Sequence, residues 1–110
     1  MAADLAKTAN SAAALIGLSP DISADEVDVT EAYIGPGYGI MTDGGREATK
    51  LLARSEGILL DPVYTSKCLA AVIDDIRSGR LAPDEPVVFV HTGGTPALFA
   101  YRDELMQMLA

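Results

Sequence analysis

Val87-Val88-Phe89-Val90-His91-Thr92-Gly93-Gly94-Thr95-Pro96 opens as an apolar run, passes through a glycine pair and closes on two residues suited to a helix start. The run predicts a buried strand over 87–91 and the glycines predict a tight turn. Thr95 is placed to cap a helix from 96 to about 108, with Pro96 at its first position. Two adjacent glycines let a backbone approach a ligand closely, because no Cβ stands in the way. In open α/β sheets, ligands bind where strands end and helices begin. The stretch therefore reads as one wall of a small-molecule site.

Working outward, residues 2–17 have helical spacing, with Leu5, Ala9, Ala12, Leu15 and Ile16 near one face and Gly17 at the end. Residues 26–33 alternate polar and apolar, as a half-buried strand does. A glycine-rich loop follows, Gly35-Pro36-Gly37-Tyr38-Gly39. A second helix is predicted over 43–56, with Ala48, Leu51, Leu52 and Ser55 inward and Gly57 closing it. Residues 58–60 read as a short strand leading into Asp61-Pro62, where proline forces an extended backbone. Leu69, Val72, Ile73 and Ile76 mark a third helix over 65–78. Helices and strands thus alternate, which predicts α/β: a partial parallel sheet flanked by helices, with 1–110 as a single segment.

The chain has 110 residues and a net charge of −8. One domain and a modest core are feasible at that length. The acidic balance argues against a nucleic-acid partner, which needs a basic face. Cys68 is the only cysteine, so no intrachain disulfide forms, and a reducing cytoplasm is the natural expectation. The start lacks the basic lead and apolar core of a secretion signal. No apolar run approaches the roughly 20 residues of a membrane span, so no membrane partner is expected.

Four groups could carry chemistry. Tyr38, between two glycines, either covers the edge of the core or points into a cleft to donate a proton or stack. Tyr64 and Thr65 open a helix; Thr65 is either its cap or a hydroxyl presented to a ligand beside free N–H groups. His91 is the sole histidine and reads first as structural. With one histidine and one cysteine there is no zinc set. A Cys68–His91 nucleophile pair is disfavoured, since Cys68 falls on the apolar side of its helix beside Leu69. The glycines at 35, 37 and 39 are not followed by the helix that a dinucleotide fingerprint requires.

Three segments together resemble one family: Ala32–Gly39, Leu51–Lys67 with its Asp61-Pro62-Val63-Tyr64-Thr65, and Phe89–Tyr101 with its His91-Thr92-Gly93-Gly94. They look like the C-terminal third of the D-cysteine desulfhydrase and 1-aminocyclopropane-1-carboxylate deaminase family, pyridoxal-phosphate enzymes of the tryptophan-synthase-β-like fold. The resemblance implies pyridoxal phosphate as cofactor and a small amino acid as substrate. It implies Tyr38 and Tyr64 as catalytic residues. It implies Thr65, Thr92, Gly93 and Gly94 as cofactor-binding, with Thr65 by the pyridine nitrogen and the Thr92–Gly94 loop along the ring edge. A neutral hydroxyl at that nitrogen does not force its protonation, which weakens the electron sink and suits loss of a β leaving group.

Family deaminases usually carry glutamate where this chain has Thr65, and desulfhydrase-like members carry threonine. The implied reaction is therefore α,β-elimination of D-cysteine to pyruvate, sulfide and ammonia. Fragments of a deaminase or of an L-cysteate sulfo-lyase look similar. The family's Schiff-base lysine, its serine–asparagine motif and its phosphate loop have no match here; the lysines are Lys7, Lys50 and Lys67. The chain accordingly reads as a fragment, inactive without an N-terminal portion or a complementary chain, in a family expected to be homodimeric. A standalone α/β module binding a small anion through the Thr92–Pro96 loop, or a non-functional remnant, are the other readings.

Overall fold

The structure, a computed structural model, describes residues 1–109. Its elements are helices α1 (Ala2–Leu15), α2 (Asp43–Glu56), α3 (Thr65–Arg77), α4 (Ala97–Ala100) and α5 (Arg102–Leu109), with a 3₁₀ turn at Ala24–Glu26. Among the described residues there is no strand, so the expected parallel sheet flanked by helices is overturned. The three segments predicted as strands, 26–33, 58–60 and 87–91, run as turns and irregular chain.

The physical reason is visible in their burial. Val27 and Val29 are half-buried while Asp28 and Thr30 are exposed. Phe89 packs on the core, while Val88 and Val90 are 87% and 71% exposed. The alternation is real, but a strand also needs a partner in register for its N–H and C=O groups, and that is a matter of context. Of residues 58–60, only Leu60 is buried.

The chain gathers into two compact units, Met1–Glu31 and the remainder from Ala32 onward. In the first, seven alanines favour α1, and Asp4 in its opening turn suits the helix dipole. The helix closes at Gly17 (φ 76°), with Leu18 N donating to Ala13 O and Gly17 N to Ala14 O. Asn10 then clasps the returning chain: its amide donates to Ile22 O at 2.9 Å and accepts from Ile22 N at 3.0 Å.

The second unit is built on α2 against α3. Thr42 Oγ1 caps α2 by accepting from Gly45 N at 3.1 Å, and Gly57 (φ 69°) ends it. The helices meet at small residues: Gly44 faces Ala70, and Gly45 faces Ser66. Ala48, Leu60 and Ala70 form the buried core, with Tyr33, Leu52, Leu69, Ile73 and Phe89 packed around it. Leu51, Ser55 and Ile76, expected inward, are exposed. The last predicted helix is two pieces, broken at Tyr101, and no side chain caps the first, so Thr95 does not act as expected. Arg46 pairs with Glu104 at 3.3 Å and Lys50 Nζ donates to Met108 O at 3.2 Å, tying α5 to α2.

The Ser66 hydroxyl is fully buried without a hydrogen-bond partner among the described residues. A buried unsatisfied polar group costs about 1–3 kcal/mol. Ser66→Ala is therefore expected to stabilise the chain by about 1 kcal/mol, read as a raised midpoint in urea unfolding.

Candidate functional site

Asp61 is the knot of the site. Proline at 62 fixes an extended backbone ahead of α3. The Asp61 side chain then folds over the helix start. Its Oδ2 accepts from Val63 N and Tyr64 N, each at 2.8 Å. Its Oδ1 accepts from Thr65 N at 2.8 Å and from Thr65 Oγ1 at 2.7 Å. Thr65 Oγ1 in turn accepts from Asp61 N at 2.9 Å. The helix is thus capped by Asp61, while Thr65 is its first helical residue and buried. Burial pushes the Asp61 carboxyl pKa up, but the hydrogen bonds from Thr65, Tyr64 and Val63 outweigh it and hold the group below its ordinary value. The N–H groups expected to await a ligand are filled by the chain's own carboxylate.

The glycine turn lies against this knot. A Cβ on Gly94 would stand 2.7 Å from Asp61 Cγ, and Gly94 has φ +87°. Gly93 has φ +103° and open space where its Cβ would be. His91 latches the turn: Gly93 N donates to its Nδ1 at 3.2 Å, which leaves Nε2 to donate to Leu59 O at 2.9 Å. Thr92 is exposed beside it. His91 therefore works through the backbone, as its structural reading expected. Cys68, expected on the apolar side of α3, is exposed.

Tyr38 and Tyr64, 26 residues apart, meet: their hydroxyl oxygens lie 2.6 Å apart and their rings contact edge to face at 5.9 Å. Tyr38 does not cover the core, being 80% exposed. The hydrogen bond between the two hydroxyls, in which Tyr64 Oη donates its proton to Tyr38 Oη, then desolvation and the nearby Tyr38 and Asp61, raise the Tyr64 pKa above the usual tyrosine value. The loop bearing Tyr38 is held by Lys67, whose Nζ donates to Ile34 O at 2.6 Å and to Gly37 O at 3.3 Å. Tyr101 Oη also donates to Gly39 O.

A family of proteins described as pyridoxal-phosphate dependent enzymes matches residues 2–93. That is most of the chain. The chain belongs to the pyridoxal-phosphate-dependent enzyme family. The family's cofactor is pyridoxal phosphate. The match spans Tyr38, Tyr64, Thr65, Thr92 and Gly93, and stops one residue before Gly94. No helix of the described residues is long and apolar enough to cross a membrane.

The residues present suit such a cofactor. Gly93 has open space where a Cβ would stand, room for a flat ring edge, and Gly94 abuts the Asp61 carboxylate that holds the Thr65 hydroxyl. Two contributors escape sequence reading. Asp61 stands two and three residues before Val63 and Tyr64, a spacing at which a carboxylate can accept from N–H groups at a helix start. Lys67 gives no such signal, because its partners are carbonyls some thirty residues earlier.

Proposed function

We propose that residues 1–110 act as one segment of a desulfhydrase-like β-lyase, converting D-cysteine and water to pyruvate, sulfide and ammonia. The observation that carries this reading is the 2.6 Å pairing of Tyr38 and Tyr64 beside the Asp61–Thr65–Gly94 knot. Thr65, Thr92, Gly93 and Gly94 hold the cofactor ring, and the two tyrosines face the substrate. When bound, pyridoxal phosphate supplies an electron sink for the substrate's Cα electrons.

The chain's own groups divide the remaining work. Tyr64 keeps its proton well past neutrality, so Tyr64 Oη serves as an acid toward the departing sulfur rather than as a base. Tyr38 Oη shares the second proton of the pair and orients the first. A hydroxyl has one proton, and that of Thr65 is given to Asp61 Oδ1, so Thr65 offers a ligand only a lone pair. Thr65 therefore favours a protonated ring nitrogen over a bare one, the reverse of the expectation from residue type. None of Lys7, Lys50 and Lys67 matches the Schiff-base lysine that the resemblance implies, and Lys50 and Lys67 are engaged on backbone carbonyls, so the cofactor's covalent anchor is assigned to a lysine-bearing portion outside this segment.

The test combines the chain with that portion and assays products. Pyruvate and sulfide from D-cysteine are expected, with Tyr64→Phe lowering kcat by roughly 100-fold or more. Ammonia from 1-aminocyclopropane-1-carboxylate would make it a deaminase segment, and sulfite from L-cysteate a sulfo-lyase segment. Binding of inorganic phosphate by the chain alone, without turnover, would favour an anion-binding module. The absence of both turnover and binding would sink the proposal.

A further inference from the structure

Lys67 is 8% exposed, an unusual place for an ammonium group. Buried lysines are ordinarily paired with carboxylates. The Lys67 ammonium instead donates to the backbone carbonyls of Ile34 and Gly37. A carboxylate partner would rest on a flexible side chain, whereas a carbonyl is a fixed point of the loop itself. Gly37 precedes Tyr38, and Lys67 lies one helical turn after Tyr64. The loop needs such a hold: Gly35 and Gly39 adopt φ +74° and +72°, and its internal backbone bond, Ile40 N to Gly37 O, is long at 3.4 Å. The Tyr38 ring is 80% exposed and packs on no core, so its position follows its backbone.

We infer that Lys67 is the positioning residue of the tyrosine pair: its ammonium binds the carbonyls of Ile34 and Gly37 to the start of α3, and so sets Tyr38 Oη against Tyr64 Oη. Its functional weight rests on the reading of Tyr38 and Tyr64 as the working pair. Its structural content stands without it.

The experiment titrates ring-labelled tyrosines of the full chain by NMR. In the native chain Tyr64 is expected to ionise above its ordinary value, and Tyr38→Phe gives the reference for a lost partner. Lys67→Met is expected to bring Tyr64 down to that reference, and Lys67→Arg, which keeps donors for the carbonyls, to restore most of the rise. The sign is diagnostic. Removing a nearby cation only through space raises a phenol's pKa, whereas losing the Tyr38 hydrogen bond lowers it. A folded Lys67→Met chain with Tyr64 unchanged or raised overturns the role of Lys67. Ordinary ionisation of Tyr64 in the native chain overturns the pair itself, and with it the proposed function. If Lys67→Met loses its helices, the native ammonium decides: slow exchange of the Lys67 Nζ protons supports the tether, and exchange as fast as an exposed lysine's refutes it.

Discussion

Asp61→Ala is expected to lower the unfolding free energy by about 3–5 kcal/mol, measured by urea or thermal unfolding followed by circular dichroism. The change strips acceptors from Val63 N, Tyr64 N, Thr65 N and Thr65 Oγ1 together. A lost cap alone costs about 1 kcal/mol, and a buried donor left without an acceptor about 1–3 kcal/mol. The apolar core offers little to offset this, since two of its three buried members are alanines. Asp61→Asn keeps the shape but one acceptor oxygen, and turns an amide toward N–H groups, so it should fall between the two. The pH dependence has a definite sign. The folded carboxyl titrates below its ordinary value of 3.8, so its contribution is complete above that value and lost as pH falls through the folded pKa. The gap between native and Asp61→Ala chains should therefore be constant near neutrality and narrow in acid below pH 3.8. A gap that persists unchanged into strong acid would mean that the charge on Asp61 contributes nothing.

The same region separates what the sequence reveals from what it hides. Helices α1, α2 and α3 are legible because their signals are local: apolar residues at helical spacing, glycines at 17 and 57 where the backbone turns to positive φ, and a proline at 62 ahead of α3. The strands misled because Val87–Val90 report only that apolar side chains seek cover, and nothing local says whether a ladder partner is present. Tyr38, Tyr64, Thr65, Thr92, Gly93 and Gly94 come from resemblance, and the structure adds which of them touch. Tyr38 meets Tyr64, and Gly94 meets the carboxylate that holds Thr65. Sequence alone left open whether Thr65 capped its helix. The acceptors come instead from the Asp61 carboxylate, which escapes sequence reading and which folds back over the helix start across Pro62.

Gly94→Ala tests that junction directly and should be the second most damaging substitution. Its Cβ would lie 2.7 Å from Asp61 Cγ, 2.9 Å from Asp61 Cβ and 3.0 Å from Asp61 Oδ1. None of these atoms can swing aside, because the carboxylate is fixed by its four hydrogen bonds. Overpacking of this kind costs about 1–3 kcal/mol, and the left-handed backbone adds about 1–2 kcal/mol for any residue with a Cβ. We expect a loss of about 3 kcal/mol in unfolding free energy. Gly93→Ala supplies the internal control. It shares the positive φ but meets open space, so only the backbone term of about 1–2 kcal/mol remains. The difference between the two isolates the contact with Asp61. In an Asp61→Ala background Cγ and Oδ1 are gone and only the Cβ, at 2.9 Å, still stands in the way, so Gly94→Ala should cost less than in the native chain; equal costs in both backgrounds would show that the glycine turn and the helix knot are not coupled. Coupling matters for chemistry as well as stability, because it makes the turn along the proposed ring edge and the hydroxyl at the proposed ring nitrogen one rigid piece. A substitution that wedges the two apart moves Thr65 without touching it.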